Sequence, residues 1–121
     1  MKAPVTIAIV DDDTDLRDTL SDVVRDAGYA SLPFAGAREA LTDLRSRPVL
    51  PGLILLDLMM PGMSGWDFRR EQLADPVLRD VPVVVVTASR DLARNPISAN
   101  DVLHKPVDVE TLLASIARHH A

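Results

Sequence analysis

No cysteine occurs among the 121 residues. That excludes disulfides, thiolate metal sites and cysteine nucleophiles, and it suits a reducing compartment. Aromatic side chains are nearly absent as well. Tyr29, Phe34, Trp66 and Phe68 are the whole set, so the core must be built from aliphatic residues. No apolar run approaches the length of a bilayer-spanning helix. No secretory signal can be read at the start, where one lysine precedes an apolar stretch that stops at Asp11. A cytoplasmic protein with no membrane partner is the expectation. Positive charge is also short. The formal net charge of −5 argues against binding a phosphate backbone, so no nucleic-acid partner is expected. Repeats, low-complexity tracts and linkers are missing, and the length suits one domain.

What is present alternates strand and helix along the chain. Residues 5–10, VTIAIV, form a short β-branched run of strand length, stopped by Asp11, Asp12 and Asp13. Leu16, Leu20, Val23, Val24 and Ala27 then recur at helical spacing, predicting a helix over 14–27. Asp13 or Thr14 can cap its start, and Gly28 suits the position just past its end. Residues 30–35 read as a weaker strand. Pro33 cannot donate to a ladder, which places that strand at a sheet edge. A second helix is expected over 37–45, with Ala37, Ala40, Leu41 and Leu44 on one face. Residues 53–56, LILL, and 81–86, VPVVVV, show no alternation, the mark of strands buried on both faces of a parallel sheet. A third helix is expected over 66–73 and a short strand at Val102 and Leu103. A last helix, capped by Asp108, would turn Val109, Leu112, Leu113 and Ile116 inward. Between Thr87 and Val102 a helix is due, but Pro96 breaks it, leaving one or two helical turns at most.

Five strands alternating with helices define an α/β fold, a parallel sheet covered on both faces. Ligands of such folds bind beyond the carboxyl ends of the strands. The residues at those ends are Asp11 and Asp12, Asp57, Thr87, and Lys105 followed by Pro106. Three carboxylates brought together repel one another, and a hard divalent cation relieves the repulsion. Mg²⁺, with Mn²⁺ as a substitute, fits an all-oxygen set; no His or Cys favours zinc. A metal, a lysine and a hydroxyl are parts for phosphoryl transfer, which needs positioning and charge neutralisation. Asp57, alone at the end of its strand and facing the paired acids, is the candidate nucleophile.

These residues resemble a known family, the receiver domains of two-component response regulators, most of all single-domain chemotaxis-type receivers. The resemblance rests on IVDDD over 9–13, LLDLMMPGMSG over 55–65, VVVVTA over 83–88 and HKP over 104–106, in order along essentially the whole chain. It implies a flavodoxin-like, doubly wound (βα)5 sandwich with strand order 2-1-3-4-5. It implies that Asp57 is the phosphoacceptor and that Asp12 and Asp57 hold Mg²⁺, with Asp11 acting through water and Met59 through its backbone carbonyl. Thr87 would bind a phosphoryl oxygen and Lys105 would form a salt bridge. The Lys105–Pro106 bond is expected to be cis. The implied partners are a histidine kinase or histidine phosphotransfer protein and a downstream protein target. The implied activity is that of a switch catalysing its own phosphorylation and dephosphorylation, not of an enzyme.

The sequence departs from the family at Val102, where Tyr or Phe commonly sits, and in the shortened segment after Thr87. A valine cannot make the aromatic's swing, and a monomer or weak dimer is expected. Residues 1–121 read as one receiver domain with no output domain, and a stand-alone protein is favoured. Two alternatives compete with this reading. An aspartyl-nucleophile, Mg²⁺-dependent phosphatase would need a second Asp where Met59 stands. A pseudo-receiver used only for binding is opposed by the intact acids, threonine and lysine. Met59, Met60 and Met63 read as packing residues, and Trp66 as partly buried. Arg69 and Arg70 read as an exposed helix face, His104 as strand surface, and His119 and His120 as solvent-exposed.

Overall fold

Unalternating aliphatic runs can be satisfied only by a sheet with apolar cover on both sides, and that is how the chain folds. The computed structural model describes residues 3–90 and 92–121; the readings that touch Met1, Lys2 and Asp91 lie outside them. Strand β1 (Thr6–Val10) leads to helix α1 (Thr14–Asp26), β2 (Ala30–Phe34) to α2 (Ala37–Ser46), and β3 (Leu53–Leu56) to α3 (Gly65–Ala74). Strand β4 (Val83–Thr87) is followed by β5 (Asp101–His104) and α4 (Val109–His119). Every pairing is parallel, and the order is β2-β1-β3-β4-β5, as the resemblance implied.

Successive residues of each central strand feed opposite cores. On one face Ala8, Val10, Ile54, Leu56, Val83 and Val85 pack with α2 and with Phe68 of α3. On the other, Ile7, Ile9, Leu53, Leu55, Val84 and Val86 pack with Leu20 and Val24 of α1 and with Leu112 and Ile116 of α4. Strand β2 is at the edge, where exposed Pro33 lies in register with Ile9.

Local signals set the helix ends. Asp13 caps α1 by accepting the Leu16 N–H. Past its end, Gly28 takes φ 97°. The N–H groups of Gly28 and Tyr29 then return to the carbonyls of Arg25 and Val24, closing the last turn in a Schellman arrangement. Ser64 and Asp67 form a reciprocal capping box on α3.

Between β4 and β5, the described residues form turns and bends and no helix, short even of the one or two helical turns expected beside Pro96. Four readings need correction. Met59, read as a packing residue, is 60% exposed. Val109, the first residue of α4, is 48% exposed and does not join the apolar face. The terminal histidines are half-buried: His120 meets the Tyr29 ring edge-on, and His119 lies 4.0 Å from Asp101. Arg69 is buried, at 9% exposure, whereas its neighbour Arg70 is exposed.

Candidate functional site at the carboxyl ends of the strands

Parallel strands of matched register deliver their C-terminal residues to one edge. The N–H of Asp57 donates to the Val10 carbonyl at 2.9 Å, which sets β3's end beside β1's. The N–H of Asp11 donates to the Phe34 carbonyl, and that of Lys105 to the Thr87 carbonyl at 2.8 Å. Carboxylate oxygens of Asp11, Asp12 and Asp57 thereby come within 4.8 Å of one another. Asp11 and Asp57 are buried, at 2% and 4% exposure, while Asp12 faces solvent.

Among the described residues, one ammonium faces the two buried acids. Lys105 Nζ lies 3.1 Å from Asp11 Oδ2 and 3.6 Å from Asp57 Oδ1. The Lys105–Pro106 peptide is cis. Burial pushes the Asp57 carboxyl above its ordinary value; the Asp11 charge adds to this, and Lys105 works against it. The Met59 N–H donates to Asp57 Oδ1 at 3.3 Å and also favours the charged form. Three carboxylates against one ammonium leave negative charge uncompensated, partly out of water. A hard divalent cation with oxygen ligands fits that deficit.

Thr87 is fully buried at the end of β4. Its Oγ1 accepts the Ser89 N–H at 3.0 Å, which leaves the hydroxyl proton to be donated elsewhere. Thus the residues expected at the site occupy adjoining strand ends. Met59 is beside them with its side chain exposed.

Two residues escaped the reading of the sequence. Arg17 Nη1 donates to the Asp11 carbonyl at 2.7 Å and braces the acidic turn from α1. Nothing in the helical pattern marks that arginine. Gly65 opens α3 hard against the Asp57 loop. A Cβ there would stand 2.4 Å from the Asp57 carbonyl oxygen and 2.7 Å from Leu58 Cα. The signal was present, since Gly65 ends the LLDLMMPGMSG run, but its steric reason appears only in three dimensions.

The family model for the response regulator receiver domain matches residues 7–117, and the chain belongs to that family. It is a receiver domain of two-component signal transduction, a class that works as a phosphoacceptor switch on aspartate rather than as a turnover enzyme. Among curated relatives, the DNA-binding response regulator MtrA of Mycobacterium tuberculosis is 36% identical over 114 residues, 91% of this chain. The chain spans 48% of that relative's length. Among solved structures, the chemotaxis protein CheY4 of Vibrio cholerae superposes with TM-score 0.85 at 28% identity, covering 97% of this chain and 99% of that one. A response regulator receiver protein from Pseudomonas putida gives TM-score 0.87 at 28% identity, over 98% and 99% of the two chains. Receiver domains bind Mg²⁺ through acidic residues, and this chain has such a cluster in Asp11, Asp12 and Asp57. No helix among the described residues is long and apolar enough to cross a membrane.

Proposed function

We propose that Asp57 accepts a phosphoryl group from a phosphohistidine on a histidine kinase or histidine phosphotransfer protein. The observation that carries this reading is the placement of Asp57. It is a buried carboxylate at the end of the central strand, grouped with two further acids and with a Lys105 ammonium that it shares with Asp11. Asp12 and Asp57 would hold Mg²⁺ directly, Asp11 through water and Met59 through its carbonyl. The bound cation would neutralise the charge gathered on the phosphoryl oxygens and the attacking carboxylate.

The chain's own residues do the rest. An Asp57 carboxylate oxygen attacks phosphorus, forming the P–O bond. The donor's P–N bond breaks, and its electron pair leaves with the imidazole. Lys105 moves its ion pairing from Asp57 to a phosphoryl oxygen, and the Thr87 hydroxyl donates to another. Loss of the group reverses the covalent change, with water attacking phosphorus and Asp57 recovering both electrons of the P–O bond as inorganic phosphate leaves. Given a phosphoryl donor, autophosphorylation, and then autodephosphorylation by water, need no protein group beyond this site and the cation.

Acetyl phosphate is a small-molecule phosphoryl donor that bypasses any kinase. Incubated with it and Mg²⁺, the chain should gain one phosphoryl group by intact mass. Asp57→Asn should gain none. An unmodified wild type, or equal modification of the variant, overturns the assignment.

A further inference from the structure

We infer that Arg17 is a positioning residue of the cation site, holding the Asp11–Asp12 turn in the shape that receives Mg²⁺ before the cation arrives. This rests on the cation site proposed above, with Asp12 as a direct ligand. Asp11 spends its polar atoms on the protein. Its N–H donates to the Phe34 carbonyl at 3.2 Å. Its carboxylate accepts the Asp13 N–H at 2.9 Å on Oδ1 and the Lys105 ammonium at 3.1 Å on Oδ2. Its carbonyl accepts Arg17 Nη1 at 2.7 Å. Asp12 is the opposite case. It faces solvent, and among the described residues its carboxylate has no hydrogen-bond or ion-pair partner. What brings an Asp12 oxygen within 4.8 Å of the other two acids is therefore its backbone.

That backbone is pinned on both sides. A peptide unit is rigid and planar, so a carbonyl held in place also fixes the N–H and Cα that follow it. Arg17 thus sets the Asp11–Asp12 peptide, and the bond from the Asp13 N–H to Asp11 Oδ1 sets the Asp12–Asp13 peptide. The guanidinium makes its carbonyl bond in preference to an ion pair. Among the described residues no carboxylate lies within ion-pair distance of Arg17, although Asp13 stands one helical turn before it. The Asp13 carboxylate is instead engaged by the Leu16 N–H. By its charge alone Arg17 would repel Mg²⁺, whereas by its hydrogen bond it prepares the turn that holds Mg²⁺. The two effects on affinity have opposite signs. Arg17 is half-buried, so solvent and salt weaken the first, and the ordering of one residue's backbone outweighs it.

Mg²⁺ titrations followed by the amide NMR signals of residues 10–13 test this, beside urea denaturation in chelator. Arg17→Met keeps the aliphatic stem and removes both donor and charge. It should bind Mg²⁺ about tenfold more weakly than wild type, the weight of ordering one residue's backbone. Its urea midpoint in chelator should stay close to wild type. Arg17→Lys keeps a cationic donor and should bind Mg²⁺ with an affinity between the two. At saturating Mg²⁺, acetyl phosphate should modify Arg17→Met as fast as wild type; at the concentration that half-saturates wild type, the variant should lag. Unchanged or tighter Mg²⁺ binding by Arg17→Met overturns the inference and leaves the cation site standing, since the wild type still binds the ion. So does Arg17→Lys binding no better than Arg17→Met. Slower modification of Arg17→Met at saturating Mg²⁺ overturns it as well, because the residue then acts on the chemistry and not on the turn. A large fall in the urea midpoint makes Arg17 a support of the fold and also overturns it. A wild type whose signals do not respond to Mg²⁺ sinks both the inference and the cation site.

Discussion

Lys105 stands closer to Asp11, at 3.1 Å, than to Asp57, at 3.6 Å. Before any phosphoryl group arrives, the lysine is shared by two buried carboxylates and neutralises neither fully. Its reach to Asp57 is set by the backbone, because the Lys105 N–H is fixed to the Thr87 carbonyl at the neighbouring strand end.

Removing that ammonium should leave the two acids uncompensated. Lys105→Met keeps the aliphatic stem and is expected to lose about 2 kcal/mol of stability in metal-free buffer at pH 7, less than for a fully buried pair because the lysine is partly exposed. Saturating Mg²⁺ should narrow the gap to wild type, since a divalent cation supplies the missing charge. Thermal unfolding with and without Mg²⁺ measures both. A gap that Mg²⁺ leaves untouched would mean the loss is one of packing.

Asp57 itself has a pH signature. Its carboxyl is held above the ordinary value of 3.8, chiefly by burial and next by the Asp11 charge. Between 3.8 and the raised value, the folded state therefore binds more protons than the unfolded state. Stability contributed by this group is present below that window and is lost as pH rises through it. Asp57→Asn removes the titration. In chelator, wild-type stability relative to that variant should fall with rising pH from 3.8 upward, as read from urea midpoints at successive pH values. Parallel curves would rule out the buried, charge-crowded carboxyl.

Adjacent arginines on α3 should behave oppositely. Arg69→Leu removes the donor to Ser98 and leaves the Gln72 amide oxygen without its partner, so a loss of about 2–3 kcal/mol is expected. The Arg70 side chain is 73% exposed and, among the described residues, pairs only with Asp67 on its own helix. Arg70→Ala should change stability by less than about 1 kcal/mol. Urea denaturation of the two variants decides, and similar losses would contradict the burial of Arg69.

The contrast between those arginines shows what the sequence could and could not disclose. β1, β3 and β4 were legible because their aliphatic runs lack alternation, and the edge place of β2 because of Pro33. The meeting of Asp11, Asp12, Asp57 and Lys105 followed from strand ends in a parallel sheet, and the family motifs sharpened it. Arg69 was misread because its burial depends on a segment that lies across α3 without a helix, and local pattern does not encode that. His119 and His120 were misread for the same reason, since Asp101 and Tyr29 reach them from distant parts of the chain. Val109 fits an apolar spacing, yet it sits on the first turn of α4, beyond the sheet's cover.

Asp101 and Ser115 provide a last test on the sheet face covered by α4. The buried Ser115 hydroxyl donates to Asp101 Oδ2 at 2.7 Å. That bond is the main reason the Asp101 carboxyl lies below its ordinary value of 3.8; the Val102 N–H and the charges of His119 and Arg118 add to it, against burial. Here the sign reverses. Below 3.8 the unfolded state binds the proton first, so stability from this pair is full above 3.8 and is lost as pH falls through the depressed value. Ser115→Ala should therefore cost about 1 kcal/mol at pH 7. The difference from wild type should shrink as the solution is acidified below 3.8. Chemical denaturation at pH 7 and at successive acid values gives the difference directly. A gap that stays constant into acid would show that Ser115 acts through packing in the α4 core, not through the Asp101 charge.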